Sequence, residues 1–165
     1  MFSTTPESAK AETTHYAPTN HQSDTIETRL WLEEHAWLYT LLHDQHNASP
    51  TFRFPDLIAA CVSLIFANGD APTRIFRFLG TQSIVRGAQT PRRRESMWRR
   101  QYALLLEVQR SPANRHPNPK FQLDQLTTAC VALCRQADDT GAAVLQQARH
   151  NMAERLAHPE IAQPN

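Results

Sequence analysis

The 165-residue chain has only four glycines, three cysteines and no run of eighteen apolar residues. Each shortage excludes something. No Gly-rich loop of the phosphate-cradling kind is present, and neither a nucleophile elbow nor a metalloprotease motif occurs. An enzyme is therefore not expected, and no cofactor is called for. Without a long apolar run, no transmembrane helix is expected. The N-terminus, Met-Phe-Ser-Thr-Thr-Pro-Glu, has no basic region followed by an apolar one, so no secretory signal is expected either. An odd cysteine count, with each cysteine inside an apolar helical pattern, fits buried free thiols in a reducing cytoplasm. Cys130 and Cys134 are four apart on an apolar helix face, and His43 and His46 have no Cys pair nearby. No spacing of zinc-finger type results, and no metal is expected.

The net charge of +1 conceals an asymmetry. Residues 1–48 hold two basic and seven acidic side chains, whereas residues 49–165 hold fifteen and nine. Nine arginines lie within 71–110, against Glu95 and Glu107. A basic body behind an acidic leader suits a polyanionic partner, although a solvated Arg-rich face reads the same way.

Two segments are nearly the same element written twice. Residues 50–64 and 119–133 share seven identical positions at an offset of 69: Pro50/Pro119, Phe52/Phe121, Leu57/Leu126, Ala60/Ala129, Cys61/Cys130, Val62/Val131 and Leu64/Leu133. Composition alone would give about one. A second match, at offset 67, joins Trp31 to Trp98, Ala36 to Ala103 and Leu38 to Leu105. A period this long, found twice, points to a duplicated domain half whose surface cannot be buried alone.

Residues 1–23, with almost no aliphatics, read as a disordered leader. Residues 24–158 read as one domain, with halves of about 24–88 and 92–158, and 159–165 as a tail. Asp24 and Glu27 resemble a capping box, which predicts a helix to about His43. Thr51 to Phe54 alternates polar and apolar, the period of a short strand. Pro55-Asp56 opens a helix, and Asn68-Gly69-Asp70 stops it. Pro72 starts another. The second half repeats this as a helix over 93–109, a strand over 120–123, a helix over 124–137, a turn at 138–141 and a last helix to about Ala157. The expected fold is mainly α with a short two-stranded antiparallel ribbon, one extra helix preceding each strand.

Thr51-Phe-Arg-Phe-Pro-Asp-Leu57 and Lys120-Phe-Gln-Leu-Asp-Gln-Leu126, each followed by helix, turn and helix, resemble the ribbon-helix-helix DNA-binding superfamily. The closer likeness is to its tandem, single-chain type, found in the virulence C operon of T-DNA transfer plasmids. The resemblance implies a pseudo-dimeric monomer that binds double-stranded DNA in the major groove. It implies a role as accessory factor in conjugative or T-DNA-like transfer, together with transfer-machinery proteins, or as transcriptional regulator of a mobile element. A protein-interaction module, with the acidic Trp-rich segment 24–43 as its docking surface, is the alternative from a different class.

By the same resemblance, Ser49, Thr51, Arg53, Asn118, Lys120 and Gln122 take the base-reading role. The chemistry of Arg toward guanine and of Asn or Gln toward adenine agrees. Thr73, Arg74 and Thr140, at the starts of helices, are expected at phosphates. Arg92, Arg93, Arg94, Arg99 and Arg100 are expected to grip flanking backbone. Phe52, Phe54, Trp31, Trp37 and Trp98 are expected in the core.

Overall fold

The computed structural model describes residues 24–87, 89–114 and 120–158. The leader 1–23, the tail 159–165 and Asn118 lie outside them. The described residues form six helices and a two-stranded antiparallel sheet. Strand β1 is Thr25–Trp31, followed by α1 (Leu32–Leu42), α2 (Phe54–Phe66) and α3 (Ala71–Arg86). Strand β2 is Arg92–Trp98, followed by α4 (Arg99–Arg110), α5 (Leu123–Ala137) and α6 (Ala142–Ala157). The same order of elements thus occurs twice. The strands are 67 residues apart, α2 and α5 start 69 apart, and α3 and α6 start 71 apart. No single helix is long and apolar enough to cross a membrane.

The ribbon is real, but it is made by other residues than Thr51–Phe54 and Lys120–Leu123. Thr25 faces Trp98, and the ladder runs without a slip to Trp31 facing Arg92. It is extended at each end, where Leu32 N donates to Pro91 O (2.9 Å) and Arg99 N to Asp24 O (2.8 Å). The helices expected over 24–43 and 93–109 therefore begin at Leu32 and Arg99, and each half opens with its strand instead of an extra helix.

The physical reason for the correction is visible at Phe52 and Phe121. Both segments are extended, as their alternation predicts, with φ −107° and ψ 175° at Arg53 and φ −97° and ψ 165° at Gln122. Their backbone groups, however, are already taken. Phe52 N donates to Asn47 Oδ1 (2.7 Å), and Asn47 Nδ2 donates to Phe52 O and Leu42 O, both at 3.0 Å. Asn114 repeats the pattern with Phe121 N (3.4 Å), Phe121 O (3.2 Å) and Gln109 O (2.9 Å). A buried side-chain amide stands where a partner strand would be, so no ladder is needed to satisfy the chain. The segments serve as lead-ins to α2 and α5. Arg53 N donates to Asp56 Oδ2 (3.0 Å) and Gln122 N to Gln125 Oε1 (2.7 Å), the N3 half of a capping box.

The two halves are interleaved. β1 rests on α5 and β2 on α2, while α6 packs on α2 and α3 on α5. Polar contacts pin these crossings. Thr28 and Thr127 share a hydroxyl hydrogen bond (3.1 Å), and Trp31 N donates to Thr128 Oγ1 (3.1 Å). Trp98 Nε1 donates to Asp56 Oδ1 (2.8 Å). The core contains Leu30, Leu38, Phe52, Leu57, Ile58, Ile75, Leu79, Met97, Leu105 and Leu126, with Trp31, Trp37 and Trp98 buried at its edges. Cys61, Cys130 and Cys134 are buried free thiols; burial pushes Cys61 and Cys130 well above the usual thiol range, so they act as small apolar packing groups.

Candidate nucleic-acid interface

The sequence of β1, Thr-Ile-Glu-Thr-Arg-Leu-Trp, sorts itself by the pleat. Ile26, Thr28 and Leu30 turn inward, Thr28 and Leu30 buried, while Glu27 and Arg29 are exposed. On β2, Met97 and Glu95 turn inward and Arg94 and Ser96 turn outward. The inward Glu95 meets His35 Nε2 at 2.8 Å, and His35 stacks on Phe54 with ring centroids 4.6 Å apart. Trp31 and Trp98 share the outward phase but are buried, because the chain turns into α1 and α4 at those residues.

The outer face is therefore a short polar platform. Arg29 lies directly opposite Arg94, and Glu27 directly opposite Ser96. Arg94 is 71% exposed and reaches across the ladder to Glu27, with Nε at 3.0 Å from Oε2. Arg29 has no side-chain hydrogen bond or ion pair among the described residues. Arg92, at the end of the face, donates to Asp124 Oδ2 at 2.7 Å. The opposite end is held by Arg99, whose Nη2 lies 3.5 Å from Thr25 O.

The N-termini of α2 and α5 flank this platform. A shallow pocket bordered by Glu27, Arg29, Tyr102, Gln122 and Asp124 puts the start of α5 beside β1. The Asp56–Trp98 bond puts the start of α2 beside the end of β2. Arg53 is the residue before α2, with a side chain 67% exposed, and Lys120 is exposed two residues before Gln122.

Several expected site residues thus change place. Thr51, Arg53, Lys120 and Gln122 are not on the ribbon but on the lead-ins beside it. Ser49 has φ 53° and lies in the loop before them. Arg92, Arg93 and Arg94 are on β2 itself, while Arg99 and Arg100 begin α4. Thr73 and Arg74 are at the start of α3, whose other end carries Arg86 against Trp31; the helix from Arg74 to Arg86 spans about 18 Å. Thr140 is off the ribbon as well. Its turn packs on the far end of α1, where Trp37 Nε1 donates to Asp139 O (3.1 Å) and Gly141 sits against Leu41. The free N–H groups expected there are also occupied. Ala143 N donates to Asp138 Oδ2 (3.0 Å) and Ala142 N to Thr140 Oγ1 (3.3 Å). The Thr140 hydroxyl, which donates to Asp138 Oδ1, and then the Ala143 N–H hold the Asp138 carboxyl below the usual carboxylate value.

Glu27, Arg29 and Ser96 were missed by sequence reasoning. The alternation of Ile26, Thr28 and Leu30 with Glu27 and Arg29 was the signal for them. The 67-residue offset of the two tryptophans then carries that strand to 92–98. Among the described residues, no group of three or more His, Cys, Asp and Glu side chains converges to hold a metal. No family model, no curated protein and no solved structure matches this chain.

Proposed function

We propose that this chain is a tandem, pseudo-dimeric ribbon-helix-helix protein that binds duplex DNA through the outer face of β1 and β2, without catalysis. One observation carries the reading: Arg29 directly opposite Arg94 on an exposed ribbon, with no side-chain partner for Arg29 among the described residues. Like charges facing each other across a ladder are destabilising, and a ligand rich in acceptors relieves that cost. Base edges in the major groove are such a ligand, and a two-stranded ribbon fits that groove. The starts of α2 and α5, beside the ribbon, suit the flanking phosphates, where helix N-termini favour anions. Asp124 does not oppose this strongly, because Arg92 pairs with it.

On this reading Arg53, Lys120 and Gln122 are backbone-gripping residues, and base reading passes to Glu27, Arg29, Arg94 and Ser96. Arg99 and Arg100 add charge along the same contact, whereas Arg93, which faces Leu30, has the inward phase of the ladder and reaches only flanking backbone. The protein then works as a monomer in the cytoplasm, as accessory factor in conjugative or T-DNA-like transfer or as regulator of a mobile element. Sequencing genomic fragments retained by the purified protein separates the roles: one site of transfer-origin type, or several promoter sites.

The direct test is duplex binding by fluorescence anisotropy over a range of salt. Affinity should fall linearly in log–log form, and Arg29→Ala should cost roughly 1–3 kcal/mol of specific binding. Binding that is absent at low salt removes the proposal. The interaction-module alternative has less to stand on, since Trp31 and Trp37 are buried and Tyr39 is the exposed aromatic of that segment.

A further inference from the structure

We infer that the ribbon is polar, so that the chain occupies an asymmetric DNA site in one orientation, with guanine under the Arg29/Arg94 end. This rests on the ribbon being the DNA reader. The ladder is centred on the facing pair Thr28 and Glu95. Exchanging the strands about that centre puts Thr25 on Arg92, Glu27 on Arg94 and Arg29 on Ser96. A ribbon of two identical strands would be unchanged by the exchange and would read a two-fold symmetric site. Here a carboxylate exchanges with a guanidinium, and a guanidinium with a hydroxyl.

The two ends of the outer face consequently differ in chemistry. At one end Arg29 and Arg94 stand side by side, and each guanidinium can fork onto guanine O6 and N7. At the other end Glu27 and Ser96 stand side by side. A carboxylate can only accept, so it pairs with the cytosine amino group and is repelled by the acceptor edge of guanine. Turning the protein end for end puts Glu27 over guanine and leaves two guanidiniums without their bases. Each lost fork is worth roughly fivefold to a hundredfold in Kd. The Glu27–Arg94 contact of 3.0 Å adds direction, because it holds Arg94 from the carboxylate side and leaves Arg29 unheld. The flanking cations do not cancel this polarity. Arg93 stands near one end and Arg99 and Arg100 near the other, and phosphate contacts carry no base information directly.

The experiment is selection of bound duplexes from a random library by the full chain, followed by guanine-N7 methylation interference on the selected site. The expected motif lacks a dyad, and interference falls on guanines at one end. The double variant E27R/S96R gives both ends the same pair of arginines; because Ser96 is half-buried, circular dichroism checks that the fold is intact. Its selected motif should become two-fold symmetric, with guanine at both ends. A dyad-symmetric motif from the parent chain would overturn the polarity while leaving DNA binding standing. An asymmetric parent motif that E27R/S96R leaves unchanged would overturn the assignment of these positions. No enrichment of any duplex by the parent at low salt would instead strike the DNA reading beneath both.

Discussion

Asn47 and Asn114 do the same thing in the two halves of this chain, whereas Glu27 and Arg94, equally equivalent by position, are opposite in charge. Each buried asparagine clasps the phenylalanine before a helix and the last turn of the helix preceding it. Each tryptophan at a strand end is covered by an arginine from a third helix, Arg86 at 4.9 Å from the Trp31 ring and Arg155 at 4.2 Å from that of Trp98. What anchors these arginines has diverged. Arg86 forks onto buried Glu34 (2.6 and 2.7 Å), while Arg155 reaches Asp56 at 3.4 Å. Gln101 occupies the position that Glu34 holds in the first half. The indole N–H groups differ as well: that of Trp98 meets Asp56, whereas that of Trp31 is buried without a partner among the described residues. Positions that satisfy the backbone cannot change without loss; outward positions and second partners can. The interior keeps the equivalences between the two halves, and the outer face of the ribbon does not.

The largest effect expected inside this comparison is at the asparagine clasps. Asn47→Ala strips partners from Phe52 N–H, Phe52 C=O and Leu42 C=O and should cost about 3–5 kcal/mol by denaturant unfolding. Asn114→Ala removes the equivalent bonds, of which the two to Phe121 are longer, 3.4 and 3.2 Å, and should cost about 2–3 kcal/mol. Equal and negligible costs would mean that the clasps are incidental.

The turns before the last helices come next. A Cβ at Gly141 would collide with the Leu41 side chain, and the residue has φ +78°. Gly141→Ala should therefore cost about 2–4 kcal/mol, from left-handed backbone and overpacking together. A Cβ at Gly69, in the corresponding turn, meets nothing within 4 Å. Gly69→Ala should stay within about 0.5 kcal/mol of the parent. A reversed order would contradict the packing of the second turn on α1.

A smaller effect separates the same turns by pH. Asp138 caps α6, and its bonds to Thr140 and Ala143 hold its carboxyl below the usual value of 3.8. A depressed native value means a contribution fully present above that usual value and lost as the pH falls through the lower one. Asp138→Asn should lower stability at neutral pH, flatten the acid limb of the stability curve and bring variant and parent together below the depressed value. Asp70, which precedes α3 without a side-chain cap bond, should give no such change when replaced by Asn.

How far the sequence reached can be argued from the same residues. The repeated order of elements, the paths of α2, α3, α5 and α6, and the existence of one antiparallel ribbon are legible in the offsets, the proline and glycine positions and the apolar stripes. The strand positions were misread because Phe52 and Phe54 alternate as a strand does, and extended backbone is what alternation reports. Alternation cannot tell a ladder from a lead-in pinned by Asn47, five residues earlier in the chain. Asp24 and Glu27 added a false helix start, although Thr25, Ile26 and Thr28 are residues that favour strands. Arg92-Arg-Arg-Glu-Ser-Met-Trp98 carries almost no strand preference of its own; its pairing with β1 holds it extended. The expected readers Arg53, Lys120 and Gln122 lie on the flank of the ribbon, whereas Thr73, Arg74 and Thr140 are at or just before the helix starts, as expected, but the ribbon is formed elsewhere.

The most direct test of the account compares two double variants of equal charge change for affinity toward the selected duplex and toward an unrelated one. R29A/R94A alters the outer face of the ribbon, and R53A/K120A alters its flanks. Both sets of side chains are exposed, so both proteins should fold. The account predicts that R29A/R94A loses the preference for the selected duplex, a drop of about 2–6 kcal/mol, while its binding to the unrelated duplex falls far less. R53A/K120A should weaken both duplexes alike and reduce the salt dependence. An R29A/R94A protein that still discriminates as the parent does, beside an R53A/K120A protein that does not, would contradict the assignment of DNA reading to β1 and β2.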